Sequence, residues 1–344
     1  MSDAGSRDPA RFVRVFLTST LLGLAGVAAL NYVTNPLSLY PPRLLPPMVW
    51  NSRSEKLGLF AALAAPPQAF VLGSSRSMQI SPRRVRGRTG FVTFNAAVDS
   101  ARAEDYFVLL RYFRDHGVRP RLLLVGADVE SFHDHLPADE RLLQIPELRR
   151  HLKRDDADEA GFLLNRVRKL VSLQQTQSSL QALANQLRGS WPARSSHFES
   201  DGYLQYDAWA RERAGGRYDL ATKIAKTRAD YVARFAGYTR VSPRRLQYFA
   251  EFLRMARESD ARVIVFLTPL HREVIATLAG TSYEPRRREL IAALRVACAA
   301  GGARFLDTSS VELFGGGPDG FWDGAHLDPA NADRLADYAL GTDG

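Results

Sequence analysis

The sequence of 344 residues contains a single cysteine, Cys298. One thiol excludes an intramolecular disulfide framework and any cysteine-rich zinc or iron–sulfur site, because each of these needs several thiolates. The chain also lacks the composition of a disordered protein, since 45% of its residues are hydrophobic and 24% are charged. Such a chain can bury enough apolar surface to offset its conformational entropy. We therefore predict a folded protein.

Motifs that bind nucleic acids and nucleotides are also missing. Lysine and arginine outnumber aspartate and glutamate by 46 to 37, which gives a formal net charge of +9, but the arginines are scattered. Their tightest group, residues 83–88, has none of the interleaved aromatic residues of a nucleic-acid surface. The serine-rich turn at residues 73–77 lacks the Gly-Lys-Ser/Thr ending of a phosphate loop. We expect no nucleic-acid partner and no cofactor.

One long apolar segment lies near the N-terminus. Residues 15–30 carry no charge, and with residues 12–33 as outer limits the segment approaches the roughly 20 residues of a membrane-spanning helix. Three arginines precede the uncharged part: Arg7, Arg11 and Arg14. The positive-inside rule then predicts a single-pass protein with a cytoplasmic tail at residues 1–11 and a body on the opposite side of the membrane.

A cleaved signal peptide is the alternative interpretation of this segment, because small residues close the apolar run and could form a cleavage site. These residues are Ala25, Ala28 and Ala29. We favour a retained anchor over residues 12–33. The proline-rich residues 34–50 are predicted to be an extended linker to the body.

Beyond the linker, short apolar runs alternate with amphipathic helical stretches, which is the pattern of βαβ units around a mostly parallel sheet. The predicted strands are Ala69–Leu72, Phe91–Phe94, Leu122–Val125, Val263–Leu267 and Ala303–Leu306. Helical spacing predicts helices at Glu104–His116, Arg244–Ser259, Glu289–Ala300 and Ala330–Leu340. These elements predict an α/β domain formed by residues 51–132 and 242–344.

The alternation breaks between residues 133 and 241, where the sequence is polar and rich in charge. This segment has a helical centre at Glu159–Leu187 and a stretch with tryptophan and tyrosine around residues 191–209. Structureless loops of such length are uncommon in compact domains. We therefore predict a helical insertion or lid over the carboxyl ends of the strands.

A glycine and several serines follow the first predicted strand, in Val71-Leu72-Gly73-Ser74-Ser75-Arg76-Ser77. At a strand-to-helix turn, a serine hydroxyl projects into the crevice at the sheet edge, where free N–H groups of the helix start can stabilise an oxyanion. Gly-Ser-Ser is also a common structural turn. It indicates a nucleophile only in combination with a second motif.

The second motif lies near the other end of the chain, where Asp323 and His326 precede the last predicted helix. A spacing of three residues in a loop lets both side chains reach the same point. The carboxylate can orient the imidazole, and the imidazole can then deprotonate a serine hydroxyl. An aspartate that merely caps a surface turn is the structural alternative.

Other polar residues follow the predicted strands. His271 comes after the fourth strand, at the edge where ligands of open α/β sheets bind. Arg76 is interpreted either as an anchor for an anionic group or as part of a structural salt bridge. His133 and His135 supply only two imidazoles, so we predict a loop there and no metal site.

Together the motifs resemble the SGNH (GDSL-like) hydrolase superfamily, and within it membrane-anchored bacterial proteins of D-alanyl-lipoteichoic acid biosynthesis and polysaccharide O-acetylation. Gly73-Ser74-Ser75 resembles the Gly-Asp-Ser block, which implies that Ser75 is the nucleophile, and Asp323 and His326 match the Asp-x-x-His block. The resemblance covers roughly residues 68–132 and 262–340. It implies a flavodoxin-like three-layer sandwich with a mostly parallel five-stranded sheet.

The superfamily blocks that supply oxyanion donors match in part. The resemblance places a backbone N–H donor near Asn95-Ala96-Ala97, at Ala96. Asp128, in Gly126-Ala127-Asp128, stands where the superfamily has an asparagine. A carboxylate there repels an oxyanion unless it is protonated or turned away. Ser74 stands where aspartate is usual, although the anchored relatives often have Gly-Ser-Ser at this block.

The resemblance implies an acyl esterase or O-acyltransferase at the outer face of the bacterial inner membrane. Ser75 would attack an ester, His326 would transfer the proton, Asp323 would orient His326, and the N–H groups of Ser75 and Ala96 would bind the oxyanion. The implied substrate is a cell-envelope polysaccharide or acylated glycan, and the implied partner is a membrane-bound O-acyltransferase.

Two other functions stay open. A non-catalytic SGNH-like protein could bind a glycan or assemble a polysaccharide pathway, and the departures at Ser74 and Asp128 favour this alternative. A lipase or thioesterase is a third interpretation, which the lack of an apolar lid stretch disfavours.

Overall fold

The computed structural model describes residues 9–40, 44–156 and 159–341. Residues 1–8 of the predicted cytoplasmic tail and residues 41–43 of the predicted linker lie outside this range. The described residues of Met1–Asn51 and Ala157–Ala193 form one compact unit. Those of Ser52–Asp156 and Arg194–Gly344 form the second.

Helices and strands are numbered separately in chain order. The α-helices are α1 (Pro9–Thr34), α2 (Ser52–Ala61), α3 (Pro82–Thr89), α4 (Ala103–Asp115), α5 (Glu140–Leu143), α6 (Pro146–Arg149), α7 (Glu159–Leu170), α8 (Leu173–Leu187), α9 (Asp207–Ala214), α10 (Leu220–Phe235), α11 (Pro243–Arg257), α12 (Arg272–Thr277), α13 (Tyr283–Gly301) and α14 (Pro329–Leu340). The strands are β1 (Ala69–Leu72), β2 (Thr93–Asn95), β3 (Leu122–Ala127), β4 (His197–Phe198), β5 (Leu204–Gln205), β6 (Arg262–Leu267) and β7 (Arg304–Leu306).

The first unit contains α1, α7 and α8. Helix α1 has 26 residues and a mean hydropathy of 1.8 over its most apolar stretch, none of which is buried. Of the described residues, only this helix is long and apolar enough to cross a membrane. It contains the predicted segment 12–33. Length and composition therefore agree with a membrane span at this place in the sequence.

The second unit is an α/β body around a five-stranded sheet, with all strand pairs parallel and the order β2-β1-β3-β6-β7. All five predicted strands are confirmed, with ends that differ by at most two residues. Strands β1 and β3 are neighbours in the sheet. From β1 the chain first adds β2 on one side and then adds β3, β6 and β7 on the other side, so the direction of winding reverses between β1 and β3. In open α/β sheets, ligands bind beyond the carboxyl ends of the strands at such a point.

The sheet is buried on both faces, as its continuous apolar strands require. Every residue of β1 and β3 is buried. On one face, Val71 and Leu124 pack in a cluster with Leu335 of α14. On the other face, Phe70 stacks on Phe113 of α4 with ring centroids 4.5 Å apart. Helices on both faces thus hold the strand ends, and the loops that follow them, in fixed positions.

The segment 133–241, predicted as one helical insertion, is divided between the two units. Helices α7 and α8 belong to the first unit. The α/β body contains α5, α6, α9, α10 and an antiparallel pair of short strands, β4 and β5. Helix α10 packs against α12 and brings its side chains to the carboxyl edge of the sheet.

Candidate active site

Ser75 begins a short 3-10 turn, residues 75–77, immediately after β1. The chain turns at Gly73, whose φ of +145° favours glycine. The Ser74 hydroxyl caps the turn by accepting a hydrogen bond from the N–H of Arg76 at 3.1 Å. The N–H of Ser75 donates to no acceptor within the described residues, as expected for the first residue of a helical turn.

Asp323 and His326 lie in a closed loop before α14. The N–H of Trp322 donates to the carbonyl of His326 at 2.7 Å, which holds the ends of the loop together. Asp323 Oδ1 accepts the N–H groups of Ala325 at 2.7 Å and His326 at 2.8 Å. The loop is therefore folded around the Asp323 carboxylate.

The structure brings Ser75, His326 and Asp323 together in one hydrogen-bonded chain. Ser75 Oγ is 2.9 Å from His326 Nε2. On the other side of the ring, His326 Nδ1 is 2.9 Å from Asp323 Oδ2. With its Nδ1 proton directed to Asp323, the imidazole presents Nε2 as an acceptor for the serine proton. The arrangement can therefore generate a nucleophilic oxygen at Ser75.

Asp323 is ionised at neutral pH. Burial raises the pKa of its carboxyl group, but the charge of His326 and the hydrogen bonds from His326 and Ala325 outweigh burial and lower it to about 2. A carboxylate in this position fixes the tautomer of His326 and stabilises the imidazolium that forms when Ser75 loses its proton.

Arg76 takes part in a buried salt bridge. Its guanidinium pairs with Glu130, donates to Thr268 Oγ1 at 2.8 Å and donates to the Tyr231 hydroxyl at 3.1 Å. Asp128 Oδ1 lies 3.8 Å from Arg76 Nε. Of the two interpretations of Arg76, the structural salt bridge is the one that the geometry shows.

Asp128 is turned toward this cluster. Thr268 Oγ1 donates to its Oδ1 at 2.6 Å. Burial raises the pKa of Asp128, while the charge of Arg76 opposes that shift. The Asp128 carboxylate is therefore engaged with a cation and a hydroxyl.

The expected oxyanion role of Ala96 and Asn95 does not fit the structure. The N–H of Ala96 donates to the Val71 carbonyl at 2.8 Å. The Asn95 amide donates to the carbonyls of Ser77 and Ile80, each at 3.0 Å. Both residues are fully buried. They hold the turn that carries Ser75, and their donors do not point to a reacting group.

His271 also lies away from the reacting atoms. Its ring caps α12 by accepting the N–H of Glu273 at 3.3 Å and packs edge-on against Phe321 at 5.3 Å. Its backbone N–H donates to the carbonyl of Gly324 at 2.9 Å. His271 therefore supports the loop that carries Asp323 and does not line the cavity beside Ser75.

A cavity of about 530 Å³ opens beside Ser75 and His326. Its lining includes side chains that sequence reasoning missed, among them Arg102 before α4 and Thr227, Tyr231 and Arg234 of α10. The spacing of the α10 residues places them on one helix face, a signal visible in the sequence. Thr227 Oγ1 accepts the N–H of Gly324 at 3.2 Å, which ties α10 to the Asp323 loop.

Two aromatic side chains, Tyr206 and Trp209, lie near the His326 ring. The rings of Tyr206 and Trp209 stack on one another at 4.4 Å and lie 6.1 and 6.5 Å from the His326 ring. Trp322 lies 6.0 Å from Tyr206. Such faces shield the imidazole from water and offer an amphipathic contact surface to a ligand.

His133 and His135 line the same cavity. His133 stacks on Tyr238 at 4.5 Å, and within the range that the structure describes no group of three or more histidine, cysteine or acidic residues could hold a metal ion. Comparison of the chain with protein-family models and with curated protein sequences gives no match.

Proposed function

We propose that this protein is a serine acyl esterase or O-acyltransferase. The observation that carries the proposal is the hydrogen-bonded chain from Ser75 through His326 to Asp323, with 2.9 Å at both contacts of the imidazole. The chain ends at a cavity large enough for part of a sugar chain or an acyl ester. A solvated surface turn would not need an ionised, buried carboxylate behind a histidine.

In the proposed reaction, Ser75 Oγ attacks the carbonyl carbon of an ester, and its proton passes to His326 Nε2. The free N–H of Ser75 stabilises the oxyanion of the tetrahedral intermediate. His326 then returns the proton to the leaving alcohol, and an acyl group remains on Ser75. Water or a second alcohol then attacks the acyl-enzyme and gives its proton to His326. As the bond from the acyl group to Ser75 Oγ breaks, His326 passes this proton to Ser75 Oγ, and the free acid or the new ester leaves.

The proposed fold is the flavodoxin-like sandwich of SGNH hydrolases. Counted along the chain, the strands of the five-stranded sheet follow the order 2-1-3-4-5, which is the flavodoxin-like order. The nucleophile follows the first strand, and the Asp-x-x-His pair precedes the last helix, α14. Both the topology and the places of the motifs support this assignment.

We further propose that α1 anchors the protein in the bacterial inner membrane with its N-terminus in the cytoplasm and the α/β body outside. The apolar, unburied surface of α1 supports the anchor, and the arginines before it support the orientation. A cell-envelope polysaccharide or acylated glycan is the proposed substrate, and a membrane-bound O-acyltransferase the proposed partner. The aromatic rings of Tyr206 and Trp209 beside His326 suit a sugar.

The alternative function is non-catalytic glycan binding or assembly. The observation that favours it is the oxyanion site, because the N–H of Ala96 and the amide of Asn95 are engaged elsewhere. A protein that only binds a glycan needs the cavity and its aromatic rim but no oxyanion donors.

Hydrolysis of 4-nitrophenyl acetate by the full-length chain in detergent separates the two functions. We expect turnover by the wild type and losses in kcat/KM of about 10³-fold or more in Ser75→Ala and in His326→Ala. Ser259→Ala, at a serine two residues after α11 and outside the cavity lining, serves as the matched control with unchanged kcat/KM. Turnover that survives Ser75→Ala would refute the proposal, and a folded wild type that binds glycan without turnover would establish the alternative.

A further inference from the structure

Two cations near Ser75 differ in how their charges are compensated. Arg76 is bonded to Glu130, Thr268 and Tyr231. Arg102 lines the same cavity, and its Nη1 atom is buried without a hydrogen-bond partner in the described part of the chain. A buried cationic group without a partner is unfavourable, because it has lost water and gained no acceptor.

The carboxylates near Arg102 partly offset its charge, but in the described part of the chain none of them forms an ion pair with it. Each of them is bonded to another arginine: Asp105 to Arg53 at 2.7 Å, Glu104 to Arg245 at 3.0 Å and Asp139 to Arg141 at 2.7 Å. Burial, together with the charge of Arg245, lowers the pKa of Arg102. Within the described residues, Nη1 of Arg102 is therefore a donor in a cavity-lining side chain that no protein group accepts.

We infer that Arg102 forms an anion subsite next to Ser75, which binds a carboxylate or phosphate group of the substrate. This inference rests on the proposed function and narrows its substrate to an anionic glycan. A guanidinium binds both groups through paired N–H donors, so the two share one chemistry. The cation predicted for this task, Arg76, is already paired with Glu130. Arg234 also lines the cavity, and its guanidinium lies over the Tyr231 ring, 5.0 Å from the centroid.

Isothermal titration of the full-length chain with glucuronate, inorganic phosphate and glucose tests the subsite without any need for turnover. We expect the wild type to bind at least one of the two anions and not glucose. Arg102→Leu should weaken anion binding at least about tenfold, and Arg102→Lys should retain part of it. Arg83→Leu is the matched control, because Arg83 is exposed and lies outside the cavity.

Tighter binding of glucuronate by the wild type would indicate a carboxylate subsite, and tighter binding of inorganic phosphate would indicate a phosphate subsite. Equal anion affinity in the wild type and Arg102→Leu, with both folded by thermal unfolding, would overturn the inference, as would the absence of anion binding by the wild type. Anion binding that depends on Arg102 in a protein without esterase activity would refute the proposed catalysis and leave the subsite intact.

A second inference concerns α8, whose polarity is inverted. Leu173, Leu180 and Leu187 follow one another at intervals of one heptad and are 74%, 55% and 88% exposed. The opposite side of the helix is buried although it is polar, and it includes Gln175 and Ser179. Helix α7 likewise exposes Leu163, Leu164 and Val167. Water-exposed helices show the reverse pattern.

Hydrogen bonds to α1 fix α8 in this orientation. Ser179 Oγ donates to Asn31 Oδ1 at 2.7 Å, and Thr34 Oγ1 donates to Ser179 Oγ at 2.8 Å. Asn31 Nδ2 donates to Thr176 Oγ1 at 2.9 Å. Rotation of α8 to bury its leucines would break these buried bonds, and each broken bond would leave an unsatisfied polar group.

We propose that α7 and α8 lie in the interfacial region of the bilayer that α1 spans. Exposed leucines are unfavourable in water, at roughly 25 cal/mol per Å² of apolar surface, and favourable at the acyl boundary. Within the same unit the surface of α1 is apolar and unburied, so the two apolar surfaces belong to one body. Arg168 and Lys169 in the last turn of α7 suit anionic headgroups.

Depth-dependent quenching in vesicles of phosphatidylcholine and phosphatidylglycerol tests this placement. The full-length chain carries Cys298→Ser and one new cysteine labelled with the dye NBD: Leu180→Cys for α8, Leu21→Cys for α1, or Arg83→Cys for the α/β body. We expect nitroxide-labelled lipids to quench the dye at positions 180 and 21 and not at position 83.

Quenching at position 21 without quenching at position 180 would overturn the interfacial placement and would indicate a protein partner or water on α8. Absence of quenching at both positions would refute the proposed anchor itself. The two failures are therefore distinguishable, and neither depends on catalysis at Ser75.

Discussion

Ser77 occupies the space into which a side chain on Gly73 would project. A Cβ atom at position 73 would lie 2.8 Å from Ser77 Cβ and 2.9 Å from the carbonyl oxygen of Gly126. The backbone at Gly73 also has a φ of +145°. The turn that presents Ser75 therefore depends on the absence of a side chain two residues before it.

Gly73→Ala is expected to destabilise the protein by about 2 to 5 kcal/mol, because an unfavourable φ and overpacking act together. Urea unfolding of the full-length chain in detergent measures the difference. Gly87→Ala is the control, since Gly87 lies within α3 with nothing within 4 Å of a new Cβ, and alanine there should stabilise the helix by up to about 1 kcal/mol. Equal stability of Gly73→Ala and wild type would contradict the described turn.

The ionised Asp323 carboxylate should stabilise the folded protein, and protonation in acid should remove this stabilisation. Its pKa is about 2 in the folded chain, below the ordinary value of 3.8. A lowered pKa means stabilisation that is complete above pH 4 and is lost as the pH falls from about 4 to 2. The free-energy difference between wild type and Asp323→Asn should therefore shrink by about 2 kcal/mol across that window. A difference that does not change with pH would show that the carboxylate is not paired with His326.

Lys56 should make stability depend on pH in the alkaline range. Its buried amine donates to the carbonyl of Asn95 at 2.6 Å and to that of Gly202, and burial lowers its pKa from 10.5 to about 7. Between pH 7 and 10.5 the unfolded chain binds the proton more strongly than the folded chain does, so stability rises with pH. Relative to Lys56→Met, the free energy of unfolding of the wild type should rise by at most about 5 kcal/mol over this range. A free-energy difference between the two proteins that does not change with pH would contradict a neutral buried amine at Lys56.

The ion pair between Arg53 and Asp105 is fully buried on both sides. Asp105→Asn leaves the Arg53 charge in the interior and should destabilise the protein by about 3 to 5 kcal/mol. The double variant Arg53→Met with Asp105→Leu should recover a large part of this loss. Arg84→Met, which removes an exposed pair with Asp337, should change stability far less than Asp105→Asn does. Equal effects of the buried and exposed changes would contradict the burial of the pair.

The parallel sheet could be predicted because its strands are short, continuous apolar runs that end in turn residues. The least accurate strand was the second. Phe91–Phe94 was expected, and β2 covers Thr93–Asn95. At position 92 the carbonyl accepts bonds from Gln68 and Ala69, so the backbone pairs there before regular strand geometry begins. Hydropathy does not distinguish a backbone that pairs irregularly in this way from a regular strand.

The division of residues 133–241 between two units could not be predicted from local pattern. Hydrogen bonds hold α8 against α1. One of them joins Thr34 to Ser179, which are 145 residues apart in the sequence. Polar side chains on a helix normally indicate a water-exposed face. Only the tertiary structure shows that these are buried and that the leucines of α8 are exposed.

The proximity of Ser75, Asp323 and His326 could be predicted, because each motif fixes its own residues locally and parallel strands present their ends at one edge. The orientation of the Ala96 N–H could not be predicted, because it depends on the path of the loop after β2. Arg102 gave no signal in the sequence. Its proposed role rests on the absence of a partner at Nη1 among the residues that the structure describes, which depends on how neighbouring arginines pair.

Labelling of the full-length chain with a fluorophosphonate probe, read by peptide mass spectrometry, tests whether His326 activates Ser75. The hydrogen bond from Ser75 to His326 predicts a covalent adduct at Ser75 that is absent in Ser75→Ala and strongly reduced in His326→Ala. A folded wild type without an adduct at Ser75, or with an adduct that forms equally well in His326→Ala, would contradict the account of an activated serine.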